Sequence, residues 1–237
     1  MSDWAAKRFW KDTSVAEVGD GWTVHLDTRC VRTPAKAALT LPTRPMAEAI
    51  AAEWAAQDGL INPLTMPVTR AANAAIDKVA PQRAEVAAMI AAYGETDLLS
   101  HRAEGPAELV ARQATAWDPL LDWAAQTYGA RLGVGAGIMP LDHPPEALRR
   151  LADAVATYDP FELTALHDLV SLTGSLIIGL ATLHGIQPSE ALWQAGRIDE
   201  DWQIEQWGRD DLADAEAAIR RTSFLQAIAF FHLTRRY

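Results

Sequence analysis

The chain has 237 residues, of which 49% are hydrophobic and 22% are charged, and its formal net charge is -10 at pH 7. This length allows a sizeable core, and a mean hydropathy of -0.06 argues against a membrane protein. The acidic balance would repel a phosphate backbone, so we expect no nucleic acid among the partners.

The cysteine content and the first residues indicate a reducing compartment. Cys30 is the single cysteine, which excludes an internal disulfide and a multi-cysteine zinc site. Residues 1–11 contain no apolar run long enough for a secretory signal, and the longest nearly apolar run, 176–183, is too short to span a bilayer. We therefore expect a cytoplasmic protein without membrane insertion.

Residues 15–41 have the period of two that is typical of antiparallel strands. Trp22, Val24 and Leu26 alternate with polar residues, and turn residues follow them. The pattern predicts an antiparallel meander. At Thr43 the period changes to that of an amphipathic helix, which we expect to continue through residue 57.

The segment from Gly59 to Pro67 contains two prolines and is the clearest break in the chain. It divides a β-rich N-terminal domain with one packed helix, residues 1–62, from a helical domain, residues 63–237. The predicted fold class is α+β, with a small N-terminal antiparallel β-containing domain and a larger all-helical C-terminal domain.

Beyond this boundary nearly every segment is predicted to be helical. The predicted helices span 68–79, 82–93, 107–117, 118–128, 145–157, 161–172, 175–184, 189–208 and 212–231. Asp118 and Asp159 each precede a proline, which is typical of a helix start. Residues 131–139 are either a strand or an irregular connection, because their glycines weaken both assignments.

Two sequence features could suggest a nucleotide site or a metal site, but neither has the required arrangement. Gly133-Val134-Gly135-Ala136-Gly137 resembles a nucleotide loop, but prolines follow it where a helix would be needed, so we expect a flexible connection and no cofactor. The six histidines are scattered without the spacing of helical metal ligands, and we expect no metal site.

His167 and Asp168, together with Ser171 and Ser175, contain the side-chain types of a hydrolase triad. Neighbouring residues on a helix point to different faces, and no nucleophile elbow surrounds either serine. A polar stripe beside an apolar helix is the better interpretation. A small-molecule hydrolase that uses these residues, or the acidic cluster described next, remains the alternative function.

Residues 197–208 combine four carboxylates, two amides and two indoles. At helical spacing the segment has two sides, formed by Ile198, Trp202 and Glu205 and by Glu200, Gln203 and Trp207. This mixture is typical of a protein-binding face, while a surface helix with buried indoles is the alternative. If Trp207 packs into the core, its change to alanine would cost about 3 to 5 kcal/mol.

Several motifs together resemble a known family along nearly the whole chain. The motifs are Arg8-Phe9-Trp10-Lys11, Gly21-Trp22-Thr23-Val24-His25-Leu26-Asp27, Val31-Arg32-Thr33-Pro34, Ala52-Glu53-Trp54, Met66-Pro67-Val68-Thr69-Arg70-Ala71-Ala72-Asn73, Thr96-Asp97-Leu98-Leu99, Gln113-Ala114-Thr115-Ala116-Trp117-Asp118-Pro119 and the segment from Asp199 to Gly208. On these residues the chain resembles the assembly chaperones dedicated to the α subunit of the ATP synthase catalytic head.

The resemblance implies a protein without catalysis or cofactor that holds the unassembled α subunit until the β subunit takes its place. An acidic residue of the C-terminal segment matters in this family, and Glu200 or Asp201 matches it best. Gln203, Trp207 and Gly208 match the same motif, so these five residues are the expected partner-binding residues. Eukaryotic members carry a targeting extension, and its lack here favours a bacterial cytoplasmic member.

Overall fold

The computed structural model describes residues 7–235, so Trp4 and the first residues of the chain, on which the prediction of no secretory signal partly rests, lie outside the description. Within this range the chain forms two compact units. The first contains residues 7–83, 159–165 and 229–235, and the second contains 84–158 and 166–228. The predicted division at residues 62 and 63 concerns independent folding and stays a prediction.

The first unit contains a three-stranded antiparallel sheet in the order β1-β2-β3. The strands are β1 (Thr13–Val18), β2 (Gly21–Leu26) and β3 (Arg29–Cys30). The predicted meander is confirmed, although its last segment is reduced to a bridge between Trp22 and Leu41. Val24 and Leu26 are buried, as the period of two predicts, but Trp22 is only partly buried and Thr23, on the opposite face, is buried as well.

Helix α1 (Arg44–Ala55) follows the sheet and begins where the sequence predicts. The Thr43 hydroxyl accepts a hydrogen bond from the Met46 backbone N–H at 3.3 Å, which caps the first turn. Met46 and Ile50 are fully buried, one helical turn apart. The apolar stripe of α1 therefore supplies much of the core beneath the sheet.

A carboxylate of α1 caps the next helix. The Glu53 side chain accepts hydrogen bonds from the backbone N–H groups of Val68 at 2.7 Å and Thr69 at 2.8 Å. These are orphan donors of α2 (Pro67–Ala74), so the acid satisfies them and matches the positive end of the helix dipole. After α2 the chain passes through a short π-helix (Ala75–Val79) into α3 (Arg83–Ala91).

The second unit is mostly helical. Its helices are α4 (Ala107–Tyr128), α5 (Pro145–Ala156), α7 (Leu176–Leu183), α8 (Ser189–Ala195) and α9 (Ile198–Trp207), while α3, α6 (Pro160–Thr173) and α10 (Asp211–Thr234) contribute residues to both units. A two-residue parallel pair joins β4 (His101–Arg102) to β5 (Gly135–Ala136). The predicted α+β class is confirmed, with this pair as a small addition to the helical part.

The predicted break at Asp118 is wrong, because α4 continues through Pro119. Trp117, Leu120 and Leu121 are all buried, and their packing outweighs the hydrogen bond that proline cannot donate. Asp118 does not cap a helix. It accepts a hydrogen bond from Arg102 Nη2 at 2.7 Å.

The single helix predicted over 189–208 is also wrong, since α8 ends before Gly196 and α9 starts after Arg197. A Cβ atom at Gly196 would lie 3.2 Å from Thr173 Cβ, so close packing accounts for the glycine at the break. Of the two alternatives for residues 131–139, the strand is realised only at Gly135–Ala136.

A buried carboxylate caps α7 inside the second unit. Asp97 is fully buried and accepts hydrogen bonds from Ser175 Oγ at 2.7 Å, from the Ile177 N–H at 3.0 Å and from the Leu99 N–H at 3.0 Å. Desolvation raises the pKa of Asp97 to about 6, and these hydrogen bonds oppose the rise. One side chain thus satisfies donors from two parts of the unit.

Every helix within residues 7–235 is too short or too polar to cross a lipid bilayer.

Candidate functional site

Helix α9 is the element formed by the acidic and aromatic segment, and its ends explain its composition. Asp199, Glu200 and Asp201 lie in its first turn, where carboxylates interact favourably with the positive end of the helix dipole. The helix ends at Gly208, whose φ of +93° is a conformation that L side chains rarely adopt. Both ends of α9 are therefore encoded locally.

One side of α9 is fixed to α4. Arg112 donates two hydrogen bonds to the Glu205 carboxylate, at 2.7 and 2.9 Å, and its guanidinium carbon lies 5.1 Å from the centre of the Trp202 ring. The hydrogen bonds from Arg112 lower the pKa of Glu205. Gln113 Nε2 donates to Asp199 Oδ1 at 2.6 Å. This bidentate and stacked arrangement gives α9 a defined orientation on α4.

The acids of α9 differ in how they are used. Asp199 and Glu205 are bound to side chains of α4. Asp201 forms an ion pair with Arg197 of the same segment, with 3.3 Å between Asp201 Oδ1 and Arg197 Nη2. The side chain of Glu200 is exposed and has no hydrogen bond or ion pair among the described residues. Glu200 is therefore the α9 acid that is free to meet a cation from outside.

Two grooves lie along α9, and both belong to the second unit. The α10 groove, of about 360 Å³, is lined by residues of α9 and the first half of α10, including Glu200, Gln203, Trp207 and Gly208. The α4 groove, of about 820 Å³, is lined by residues of α9, the start of α4 and the β4–β5 region. Gln203 and Trp207 line both grooves, so α9 is the ridge between them.

Of the five predicted partner-binding residues, Glu200, Gln203, Trp207 and Gly208 all line the α10 groove. Asp201 lines neither groove and is paired with Arg197. The geometry thus favours Glu200 over Asp201 where the sequence left both open. The two predicted sides of the helix are confirmed, because the side containing Glu205 faces α4.

Trp207 is 80% exposed, so of the two alternatives for this indole, a binding face and burial in the core, the buried one is wrong. It occupies the last position of α9, where the chain turns away at Gly208 and no further helix covers the indole. Removing its side chain would therefore cost little packing. Exposed tryptophan of this extent is unusual on a monomer and is typical of a contact surface.

Sequence reasoning did not identify Arg112 and Gln113 as parts of this site. They lie 93 and 86 residues before their partners Glu205 and Asp199, and a separation of this size leaves no periodic signal. The motif from Gln113 to Pro119 contributed only to the family resemblance. Its first residue has a structural role, because Gln113 is buried and also accepts a hydrogen bond from the Ala103 N–H at 2.9 Å.

The alternative hydrolase residues do not form a catalytic arrangement. His167 Nδ1 lies 3.1 Å from Asp168 Oδ1, so the expectation that these neighbours point apart is wrong, but both side chains are exposed. Ser175 is fully buried, and its hydroxyl donates to Asp97 while it caps α7. The serine therefore serves the fold and is not a nucleophile beside His167.

The glycine-rich segment does not form a nucleotide loop. Its Gly133 N–H donates to His143 Nδ1 at 3.0 Å, and its Gly137 N–H donates to Arg102 O at 2.8 Å. The connection is thus held at both ends by hydrogen bonds, and only Gly135–Ala136 within it is a strand. Over residues 7–235, no cluster of three or more His, Cys, Asp or Glu side chains has the arrangement of a metal site.

Comparison with known proteins gives consistent matches. A family model described as ATP12 chaperone protein matches residues 7–125. The crystal structure of Atp12 from Paracoccus denitrificans is 50% identical, with a TM-score of 0.94, over 97% of this chain and 99% of that chain. A candidate chaperone from Agrobacterium tumefaciens is 42% identical, with a TM-score of 0.92, over 97% and 86% of the two chains. The mitochondrial protein atp12 of Schizosaccharomyces pombe is 23% identical over 214 residues, 85% of this chain and 74% of that protein.

Proposed function

This chain belongs to the ATP12 chaperone family, and we propose that it is an assembly chaperone of ATP synthase that binds the unassembled α subunit of the catalytic head. The chaperone would cover the exposed interface of that subunit and prevent its aggregation until the β subunit replaces it. The family consists of chaperones, so the protein is not an enzyme.

The observation that carries this proposal is the uncovered face of α9. It presents the Trp207 indole, which is 80% exposed, and the Glu200 carboxylate, which has no hydrogen bond or ion pair to residues 7–235. An aromatic side chain supplies buried area at low cost in side-chain entropy, and a rim carboxylate steers a partner of opposite charge. A client surface that is apolar with basic residues at its edge fits this face.

Release follows from competition and requires no nucleotide. An interface that the β subunit will occupy is larger and better packed in the finished complex than against a chaperone. If the β subunit binds more tightly, mass action removes the chaperone. The Arg112–Glu205 ion pair and the Gln113–Asp199 hydrogen bond, which join α4 to α9, keep the face ordered before binding and lower the entropy cost of capture.

The proposed location is the bacterial cytoplasm, where the subunits of a bacterial synthase would be made and assembled. The similar proteins from Paracoccus and Agrobacterium are bacterial, which supports this setting. The partner is a protein, and the net charge of -10 supports the absence of nucleic acid from the proposed partners.

Glu200→Lys is expected to weaken binding of the α subunit by about tenfold or more, because it replaces attraction by repulsion at the rim of the contact. Folding should be unchanged, since the Glu200 side chain is exposed and unpaired among the described residues. The measurement is the dissociation constant of the purified chaperone and α subunit at low and high salt. The loss should shrink at high salt, where exposed charges are screened.

Glu85→Lys is the matched control. Glu85 is an exposed acid of α3 that lines neither groove, so the same change in net charge should leave the dissociation constant near that of the wild type. Equal weakening by both variants would show that net charge alone drives capture. Binding by Glu200→Lys at wild-type strength would remove Glu200 from the interface.

A further inference from the structure

The α4 groove is lined by apolar side chains and by the loop that follows β5. Ile138 lines it and is 96% exposed, and the next residue, Met139, is 73% exposed. Leu109 and Trp202 also line the groove. Burying an exposed isoleucine or methionine is favourable, so this rim gains free energy from contact with another apolar surface.

The backbone around β5 is built to present this rim. A Cβ atom at Gly135 would lie 2.4 Å from Leu141 Cδ2, and one at Gly137 would lie 2.9 Å from Glu104 Oε1, where φ is already +83°. At Gly135 the flexible Leu141 side chain could shift to make room, but at Gly137 the positive φ would strain any other residue. The pairing of β5 with β4 and the bond from the Gly137 N–H to Arg102 O then place Ile138 directly after an anchored turn.

We infer that the α4 groove is a second client-binding site, which takes an apolar segment of the same subunit that meets Glu200. This inference rests on the proposed function. In this arrangement the client straddles α9, with Trp207 and Gln203 touched from both sides because both residues line both grooves. The segment that fits is apolar in its middle and carries lysine or arginine at its ends.

The charges around the two grooves support this occupant. Arg102 lines the α4 groove, and its Nη2 forms an ion pair with Asp118 Oδ1 at 2.7 Å. In the α10 groove, Arg197 is paired with Asp201 and Arg220 donates to Leu172 O at 2.8 Å. The cations are thus bound within the chain.

Three of the five acids that line the two grooves are open, while Asp199 and Asp210 accept hydrogen bonds within the chain. Glu104 lines the α4 groove, and Glu200 and Glu216 line the α10 groove. Their side chains have no hydrogen bond or ion pair to any described part of the chain. An apolar groove with open carboxylates at its edges complements a segment of apolar residues flanked by basic ones.

Ile138→Asp tests the second site. With the α subunit as the probe, the variant should bind about tenfold more weakly than the wild type, because a carboxylate then meets an apolar segment in an acidic setting. The almost fully exposed side chain makes no packing contribution, so the circular dichroism spectrum and the unfolding midpoint should not change. The double variant with Glu200→Lys should lose about the product of the two single effects, as separate contacts do.

Ile219→Asp is the control, since Ile219 is 68% exposed on α10 and lines neither groove. Wild-type affinity in Ile138→Asp, or equal losses in Ile138→Asp and Ile219→Asp, would overturn the second site. Weakening by Glu200→Lys in the same experiment would then leave the proposed function standing. A wild-type protein that binds no α subunit would overturn both. If Ile138→Asp abolishes self-association in sedimentation and leaves client affinity unchanged, the occupant is a second copy and the inference is wrong.

Discussion

Asp97→Ala is expected to lower the free energy of unfolding by about 3 to 5 kcal/mol. The carboxylate is fully buried and is the acceptor for Ser175 Oγ and for the backbone N–H groups of Leu99 and Ile177. Alanine would leave these donors without a partner where water does not reach. The measurement is urea unfolding followed by circular dichroism, with the slope of the transition compared between variants.

Asp97→Asn removes the charge of the side chain but nearly keeps its shape, so it separates the contributions of charge and shape to stability. The amide retains one acceptor oxygen but brings an NH₂ group toward backbone donors, so we expect a loss smaller than that of alanine. An alanine variant as stable as the wild type would mean that the cap contributes nothing. The motif from Thr96 to Leu99 would then need another explanation.

The same carboxyl group makes stability depend on pH in a defined direction. Burial raises the pKa of Asp97 from 3.8 to about 6, so the folded state binds the proton more tightly than the unfolded state does. Its contribution is complete below pH 3.8 and is lost as the pH rises through about 6. The difference in unfolding free energy between wild type and Asp97→Asn should fall by about 2 to 3 kcal/mol from pH 4 to pH 7. A difference that rises or stays constant would contradict this assignment.

Trp117→Ala is the second change with a large expected effect, a loss of about 3 to 5 kcal/mol of stability. Trp117 is fully buried, its Nε1 donates to Ala195 O at 2.7 Å, and the Arg102 guanidinium lies 5.2 Å from its ring centre. The variant would lose the packing of an indole and leave the Ala195 carbonyl unpaired. Thermal and urea unfolding of the purified protein measure the loss.

Trp117→Phe is the matched variant, because it retains an aromatic ring but cannot donate to Ala195. We expect it to cost about 1 to 2 kcal/mol. Because Ala195 ends α8 just before α9 begins, the alanine variant should also disturb the client-binding face. Unfolding of Trp117→Ala at the wild-type midpoint would show that the interior repacks around the missing ring.

Much of this fold could be predicted from helix caps and helical periodicity, because these features involve only a few neighbouring residues. Thr43 caps α1 where the sequence indicated a helix start, and at α6 the Asp159 carboxylate accepts from the N–H groups of Phe161 and Glu162 at 2.7 and 2.9 Å. A cap needs only its own side chain and the next turn. The two sides of α9 followed from helical periodicity for the same reason.

The remaining features depend on distant partners. Pro119 normally breaks a helix, but buried neighbours on both sides of it keep α4 continuous. Gly196 lies in the break between α8 and α9 because Thr173 packs against it. By contrast, the ion pair between Arg197 and Asp201 joins residues four apart in one segment, so helical spacing alone could have indicated it.

The candidate site shows the same limit. The motif residues of the acidic and aromatic segment could be named from the sequence, but their exposure could not, and for Trp207 a binding face and a core position both stayed open. Ile138 gave no signal, since it lies in a glycine-rich loop without periodicity. Whether a residue of this site is exposed depends on the elements that pack around it. These elements are α4, α10 and the β4–β5 pair.

The most direct test is photocrosslinking from the ridge itself. A benzophenone side chain in place of Trp207 reports contact without disturbing the core, because position 207 is 80% exposed. We predict a crosslink to the unassembled α subunit that disappears when the β subunit is added, and none from the same group at position 85. Failure to crosslink the α subunit from position 207, or an equal yield from both positions, would contradict the proposal that α9 holds the client.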